Sequence, residues 1–82
     1  MIHRIAWEEI GGKHTTGLGV QFTYPRCTDC RTLEERLHRQ GVPLVLIDVS
    51  QRPDLARKYG VSLVPLAFKV ALDGRVLARV TE

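Results

Sequence analysis

Apolar and polar positions follow two periods along this chain, and the period changes where the turn-forming residues fall. In "GLGVQFTY", residues 17 to 24, Val20, Phe22 and Tyr24 occupy every second position among β-branched and aromatic residues. That is the spacing of a strand. Pro25 ends it, because a residue without an N–H cannot continue a sheet interior. Beyond Pro25 the period lengthens. Leu33 and Leu37 lie four apart on one helical face, Glu34, Glu35, Arg36 and Arg39 can face water, and Gly41 stops a helix that runs to about Gln40. "PLVLIDV", residues 43 to 49, is an almost unbroken apolar run, which predicts a central strand buried on both faces. "RPDLARKYG", residues 52 to 60, predicts a short helix with Pro53 in its first turn, Asp54 near the positive dipole end and Gly60 after it. "LAFKVAL" and "RVLARV" flank Asp73-Gly74, a strong hairpin signal.

The first eighteen residues satisfy two patterns. Ile2, Ile5, Ala6 and Ile10 line one face of a short helix stopped by Gly11-Gly12, while His3, Ile5 and Trp7 alternate as in a strand. The strand is the preferred reading. The core order βαβαββ implies an α/β fold with a mixed four-stranded sheet, parallel neighbours joined by crossover helices and an antiparallel hairpin at one edge.

Composition narrows the picture little. The 82 residues make a single domain, 1–82, near the small end of what can bury an adequate core. Its longest apolar stretch, "GVPLVLIDV", is too short to span a bilayer. The opening "MIHRIAWEEIGG" carries acidic residues where an export signal needs unbroken apolar sequence, so a reducing cytoplasm is the expected location and no membrane is expected as a partner. The net charge of +3 is spread over scattered arginines, with no basic cluster interleaved with aromatics, which argues against nucleic acid.

Candidate chemistry rests on Cys27 and Cys30, the only two cysteines. In a reducing compartment such a pair is more often catalytic or metal-binding than structural. A disulfide across so short a loop also removes little entropy from the unfolded chain. The pair falls where strand gives way to helix, with Cys27 at or just before the first turn. Unpaired N–H groups and the helix dipole favour negative charge there, and the thiolate is the attacking form. Arg26 and Arg31 add to that effect, and Asp29 opposes it. Cys30, a turn further and less exposed, is placed to attack a mixed disulfide formed at Cys27. Zinc wants four ligands, and beyond the cysteines only His3, His14 and His38 are on offer, at no recognisable spacing. A metal carrier using the two thiolates with a partner chain stays open. A pure packing role would leave Arg26, Thr28 and Asp29 oddly polar for a core.

"VQFTYPRCTDC" is similar to the strand-proline-CxxC entry of thioredoxins and glutaredoxins. "IDVSQRPDLARKYGVSLVP", residues 47 to 65, resembles the thioredoxin segment leading to its cis-proline, and "LDGRVLARV" is similar to the closing hairpin. The step from Cys30 to Gly41, followed by "VP" and "IDV", resembles a glutaredoxin more closely. The resemblance covers residues 20 to 80 and implies a thioredoxin-like fold. It implies a redox-active Cys27–Cys30 disulfide in place of a bound cofactor or metal, with Cys27 attacking and Cys30 resolving. It implies a cis bond before Pro65 that sets the Val64 backbone against the cysteines, where an extended substrate peptide adds. Arg26, Thr28, Asp29, Val64 and Pro65 are then the expected substrate-binding residues. Protein disulfides are the implied substrates, ribonucleotide reductase among them, with a thioredoxin-reductase-type flavoprotein as electron source.

The chain also departs from the family. Arg26 replaces the usual Trp, Thr28-Asp29 the usual Gly-Pro, and Gln21 the buried acid that assists the second thiol; Asp29 or water would have to take over that part. Thr81 stands where thioredoxins have Gly. No Gly-Gly pair and acid follow Pro65, so glutathione is not expected as the main partner. The step from Pro65 to Gly74 runs a residue longer than in thioredoxins, which predicts a bulge. The terminal helix of the family is missing, so residues 1–12, or a second copy in a homodimer, are expected to cover a bare sheet face. The expected function is that of a small dithiol-disulfide oxidoreductase. The alternative is a non-catalytic binding or metal-carrying module, and an isomerase or oxidase would differ by its reduction potential.

Overall fold

A computed structural model of the protein describes residues 4–10 and 18–80. Its elements are α1 (Trp7–Ile10), β1 (Leu18–Thr23), α2 (Thr28–Arg39), β2 (Leu44–Asp48), α3 (Pro53–Lys58), β3 (Leu66–Val70) and β4 (Val76–Val80). The sheet order is β2-β1-β3-β4, with β1 parallel to β2 and antiparallel to β3, and β3 antiparallel to β4. This is the mixed four-stranded sheet that the periodicities predict, and the expected bulge is a register shift between Lys69 and Val70.

Strand alternation divides the core into two layers. Leu18, Val20 and Phe22 of β1 join Ile47, Phe68 and Val70 on one face, under Leu55 of α3. On the other face Leu33 and Leu37 of α2 press on Ala67, with Val42, Leu44 and Val80 at the margin. Both layers meet at β1, so β1 is the buried centre of the sheet.

Two expectations are corrected. "PLVLIDV" forms the outermost strand and not a central one, and its Leu46 is 45% exposed. The α2 crossover returns the chain beside β1, and β3 takes the other side of β1, leaving β2 at the edge. The apolar run reports that β2 packs through Ile47 on one face and through Leu44 at the margin of the other; it carries no information about the strand's two edges. The N-terminal segment is not a strand either. Arg4 makes an isolated bridge to Arg75, and Trp7–Ile10 is a single helical turn.

That segment is held by distant groups. Ile5 donates its N–H to the Gly74 carbonyl at 2.7 Å, and Trp7 donates Nε1–H to the Leu72 carbonyl at 3.0 Å. The Ala6 N–H donates to the Tyr59 hydroxyl at 3.1 Å, and Lys58 is paired with Glu9. The Lys58 hydrogen bond holds the Glu9 carboxyl below the usual carboxylate range. Ile5 and Trp7 are buried in the layer shared with α3 and leave the α2 face of the sheet untouched. His3, Gly11, Gly12, His14 and Thr81 lie outside the described residues.

Gly74 explains why the hairpin accepts this clasp. Its φ is +90°, and a Cβ there would collide with the Ile5 carbonyl oxygen. Gly74→Ala is therefore expected to lower stability by about 2 kcal/mol or more, from backbone strain and displacement of the clasp together. An unchanged urea midpoint would refute this.

Candidate active site

β1 runs out at Thr23, and Tyr24, Pro25 and Arg26 turn the chain through solvent. The Cys27 N–H closes that turn on the Tyr24 carbonyl at 3.2 Å. Cys27 then caps α2 in extended conformation, and its Sγ accepts the Cys30 N–H at 3.0 Å. A cap accepts from the unpaired amides of a first turn, so this donor points at the atom that would carry charge in a Cys27 thiolate.

Cys27 and Cys30 are joined by a disulfide, their Cα atoms 5.2 Å apart. Their surroundings differ. Cys27 is partly exposed, whereas Cys30 is 0% exposed, on the face of α2 that also carries Leu33 and Leu37. Of the two residues, only Cys27 has surface open to a large molecule. Arg26, Thr28 and Asp29 are exposed around it.

The Val64–Pro65 bond is cis, as the resemblance implies. The pairing of Phe22 with Leu66 puts the start of β3 beside the end of β1, so Val64 and Pro65 share the sheet end from which the chain leaves for Cys27. Both are partly exposed. Leu63, 81% exposed, and Tyr24, 44% exposed, add apolar surface at this end of the sheet. Leu63 leaves only a faint mark in the sequence, as a large apolar residue beside the Val-Pro pair and off the strand alternation.

Beneath the pair lies Gln21, whose side chain is fully buried. It faces α2 and donates Nε2–H to the Cys30 carbonyl at 2.9 Å, while its Oε1 has no hydrogen-bond partner. The sequence marks this residue as an acid replaced by an amide. The structure adds that the amide ties β1 to the first turn of α2. Asp29 is exposed on that turn, away from the buried position. His38 is exposed near the other end of α2, in a groove beside β2. Among the described residues no three His, Cys, Asp or Glu side chains form a metal-holding group, and no helix is long and apolar enough to cross a membrane.

A family model described as Glutaredoxin matches residues 20–69. A thioredoxin-like protein derived from the SPbeta prophage of Bacillus subtilis (strain 168) is 25% identical over 60 residues, covering 73% of this chain and 75% of that protein. Among solved structures, a disulphide isomerase from Xylella fastidiosa Temecula1 superposes with a TM-score of 0.59 at 27% identity, over 78% of this chain and 60% of the isomerase. The first two thioredoxin domains of a Saccharomyces cerevisiae protein superpose with a TM-score of 0.61 at 16% identity, over 92% of this chain and 31% of that one. The chain thus spans less than two thirds of either solved structure.

Proposed function

The chain belongs to the glutaredoxin family, and from that membership we propose that it is a dithiol-disulfide oxidoreductase that reduces disulfides in other proteins. The observation that carries the reading is the asymmetry of the pair: Cys27 is a partly exposed residue at a helix cap, and Cys30 behind it is fully buried. In the reduced protein the Cys27 thiolate attacks a target disulfide. A Cys27–target S–S bond forms, the target's own S–S bond breaks, and the first target thiolate leaves and takes up a proton. The Cys30 thiolate then attacks the Cys27 sulfur. The Cys27–Cys30 bond forms and the second target thiolate is released, so two electrons have passed from the pair to the target.

Each part of the site has work in this scheme. The Cys30 N–H stabilises charge on Cys27 before attack. The Val64 backbone offers main-chain groups to an extended target segment, with Arg26, Thr28 and Asp29 around the sulfur and Leu63 and Tyr24 available to apolar side chains. The Gln21 amide holds the Cys30 turn in place and takes no proton, so the proton lost by Cys30 leaves by water. The proposed cellular setting is a reducing cytoplasm, with a thioredoxin-reductase-type flavoprotein recharging the pair, ribonucleotide reductase among the targets and glutathione not the main reductant.

The test is a single turnover. Protein reduced with dithiothreitol and freed of it is mixed with insulin. One insulin disulfide is expected to be reduced for each chain oxidised. If no thiols transfer, the chain is a binding or metal-carrying module and the reading fails.

A further inference from the structure

β2 has the composition of an interior strand and the position of an edge strand. The main-chain pattern says which of its groups are open. Gly19 donates to the Pro43 carbonyl and Val49 donates to the Thr23 carbonyl, so the odd-numbered residues of this stretch face β1. In a parallel pair the alternate residues then turn their N–H and C=O groups outward. In β2 those are Leu44 and Leu46, and no described strand pairs with them. Edge strands ordinarily discourage pairing with charges, proline or a bulge. β2 is bracketed by Pro43 just before it and by Asp48 at its end, but between Leu44 and Ile47 there is none of these.

The surface beside the edge is a groove between α2 and β2. Its floor includes Leu44 and Leu46, and its wall carries Glu34 and Glu35 towards one end and His38 and Arg39 towards the other. We propose that this edge and groove join two copies of the chain, β2 against β2 in antiparallel register, with Leu44 of each copy opposite Leu46 of the other. The dyad then passes beside Val45, perpendicular to the sheet. Leu44 and Leu46 of both copies exchange reciprocal main-chain hydrogen bonds, and their side chains form one apolar strip.

The occupant is a second copy because the groove is complementary to itself. A dyad perpendicular to the sheet keeps both α2 helices on one face and runs them antiparallel. Glu34 and Glu35 of one copy then meet His38 and Arg39 of its partner, and the reverse holds across the axis. Such matching at an isologous contact sets register and orientation. The two Cys27 atoms fall at opposite ends of the joined sheet, so the contact covers neither.

Sedimentation equilibrium of the full chain tests this. Wild type is expected to dimerise reversibly. Leu46→Lys places charge in the strip and is expected to weaken the dimer roughly thirtyfold or more, the loss typical of a central anchor. Leu46 is exposed in the single chain, so this variant should fold and should still reduce insulin in single turnover. Arg39→Glu sets acid against acid and weakens association; adding Glu35→Arg restores it. A wild-type chain that stays monomeric at millimolar concentration overturns the proposal. So does a dimer indifferent to Leu46→Lys, or a charge-exchanged variant no tighter than Arg39→Glu alone. None of these outcomes depends on the redox reading.

Discussion

Cys30→Ser is expected to capture a disulfide-bearing target as a mixed disulfide that survives non-reducing electrophoresis, and Cys27→Ser is expected to capture none. The difference follows from access. Cys27 is partly exposed at the helix cap, and Cys30 is fully buried. With Cys30 replaced, Cys27 can still attack but nothing behind it can break the new bond. With Cys27 replaced, the remaining thiol lies in the packing beneath α2, where a protein disulfide cannot approach in line. Loss of turnover should be complete in both variants, so only trapping tells the roles apart. Equal trapping by both, or trapping by Cys27→Ser alone, would mean that the exposure difference does not assign the attacker.

Gln21→Glu is expected to turn a pH-insensitive position into a strongly pH-dependent one. Gln21 is fully buried with its Oε1 unpaired, so a carboxylate there would lose hydration without gaining a partner. Burial raises a carboxyl's folded pKa above the unfolded value of about 4.3. Below that value both states bind the proton and the variant's stability is highest. As pH rises past it, the unfolded chain ionises first, and stability falls by about 1.4 kcal/mol per pH unit until the folded carboxyl ionises as well. The wild-type carboxylates behave in the opposite sense. Ser50 hydrogen bonds lower Asp48, Arg52 lowers Asp54, and the Arg75 N–H lowers Asp73. Stability from these groups is present above the unfolded carboxylate pKa values and is lost as pH falls through the folded ones. Urea midpoints between pH 4 and pH 8 should therefore separate the two proteins steadily with rising pH. Parallel curves would mean that the Gln21 position is wetter than its packing indicates.

What could be read directly from the residues was local. β1, α2, α3 and the β3–β4 hairpin follow from spacing and turn chemistry within each segment, and the Cys27 cap follows from where strand meets helix. Three features depended on distant neighbours. An apolar run such as "PLVLIDV" records that a strand contributes to packing, and hydropathy has no term for whether its edges are paired. The alternation of Ile5 and Trp7 favours a strand over the helical face of Ile5, Ala6 and Ile10, and what holds the segment otherwise is a set of acceptors at Gly74, Leu72 and Tyr59 far along the chain. Gln21 could be recognised as an amide in an acid's place, but its bond to the Cys30 carbonyl depends on how α2 seats over β1. In the candidate site the cysteines, Val64 and the cis-Pro65 were legible because short motifs carry them. The apolar surface added by Leu63 was not, because nothing in the local pattern requires it.

The clasp between the N-terminal segment and the hairpin has a consequence in time. Its contacts join residues 65 to 71 positions apart, from Trp7 to Leu72 and from Arg4 to Arg75. Closing so long a loop costs more chain entropy than forming the hairpin it closes onto. Gly74 must already be turned before Ile5 can bond to its carbonyl. The segment therefore docks late, on a sheet that is already assembled, and its contacts act mainly by slowing unfolding. The first described residues of the chain serve as the last latch of the folded state.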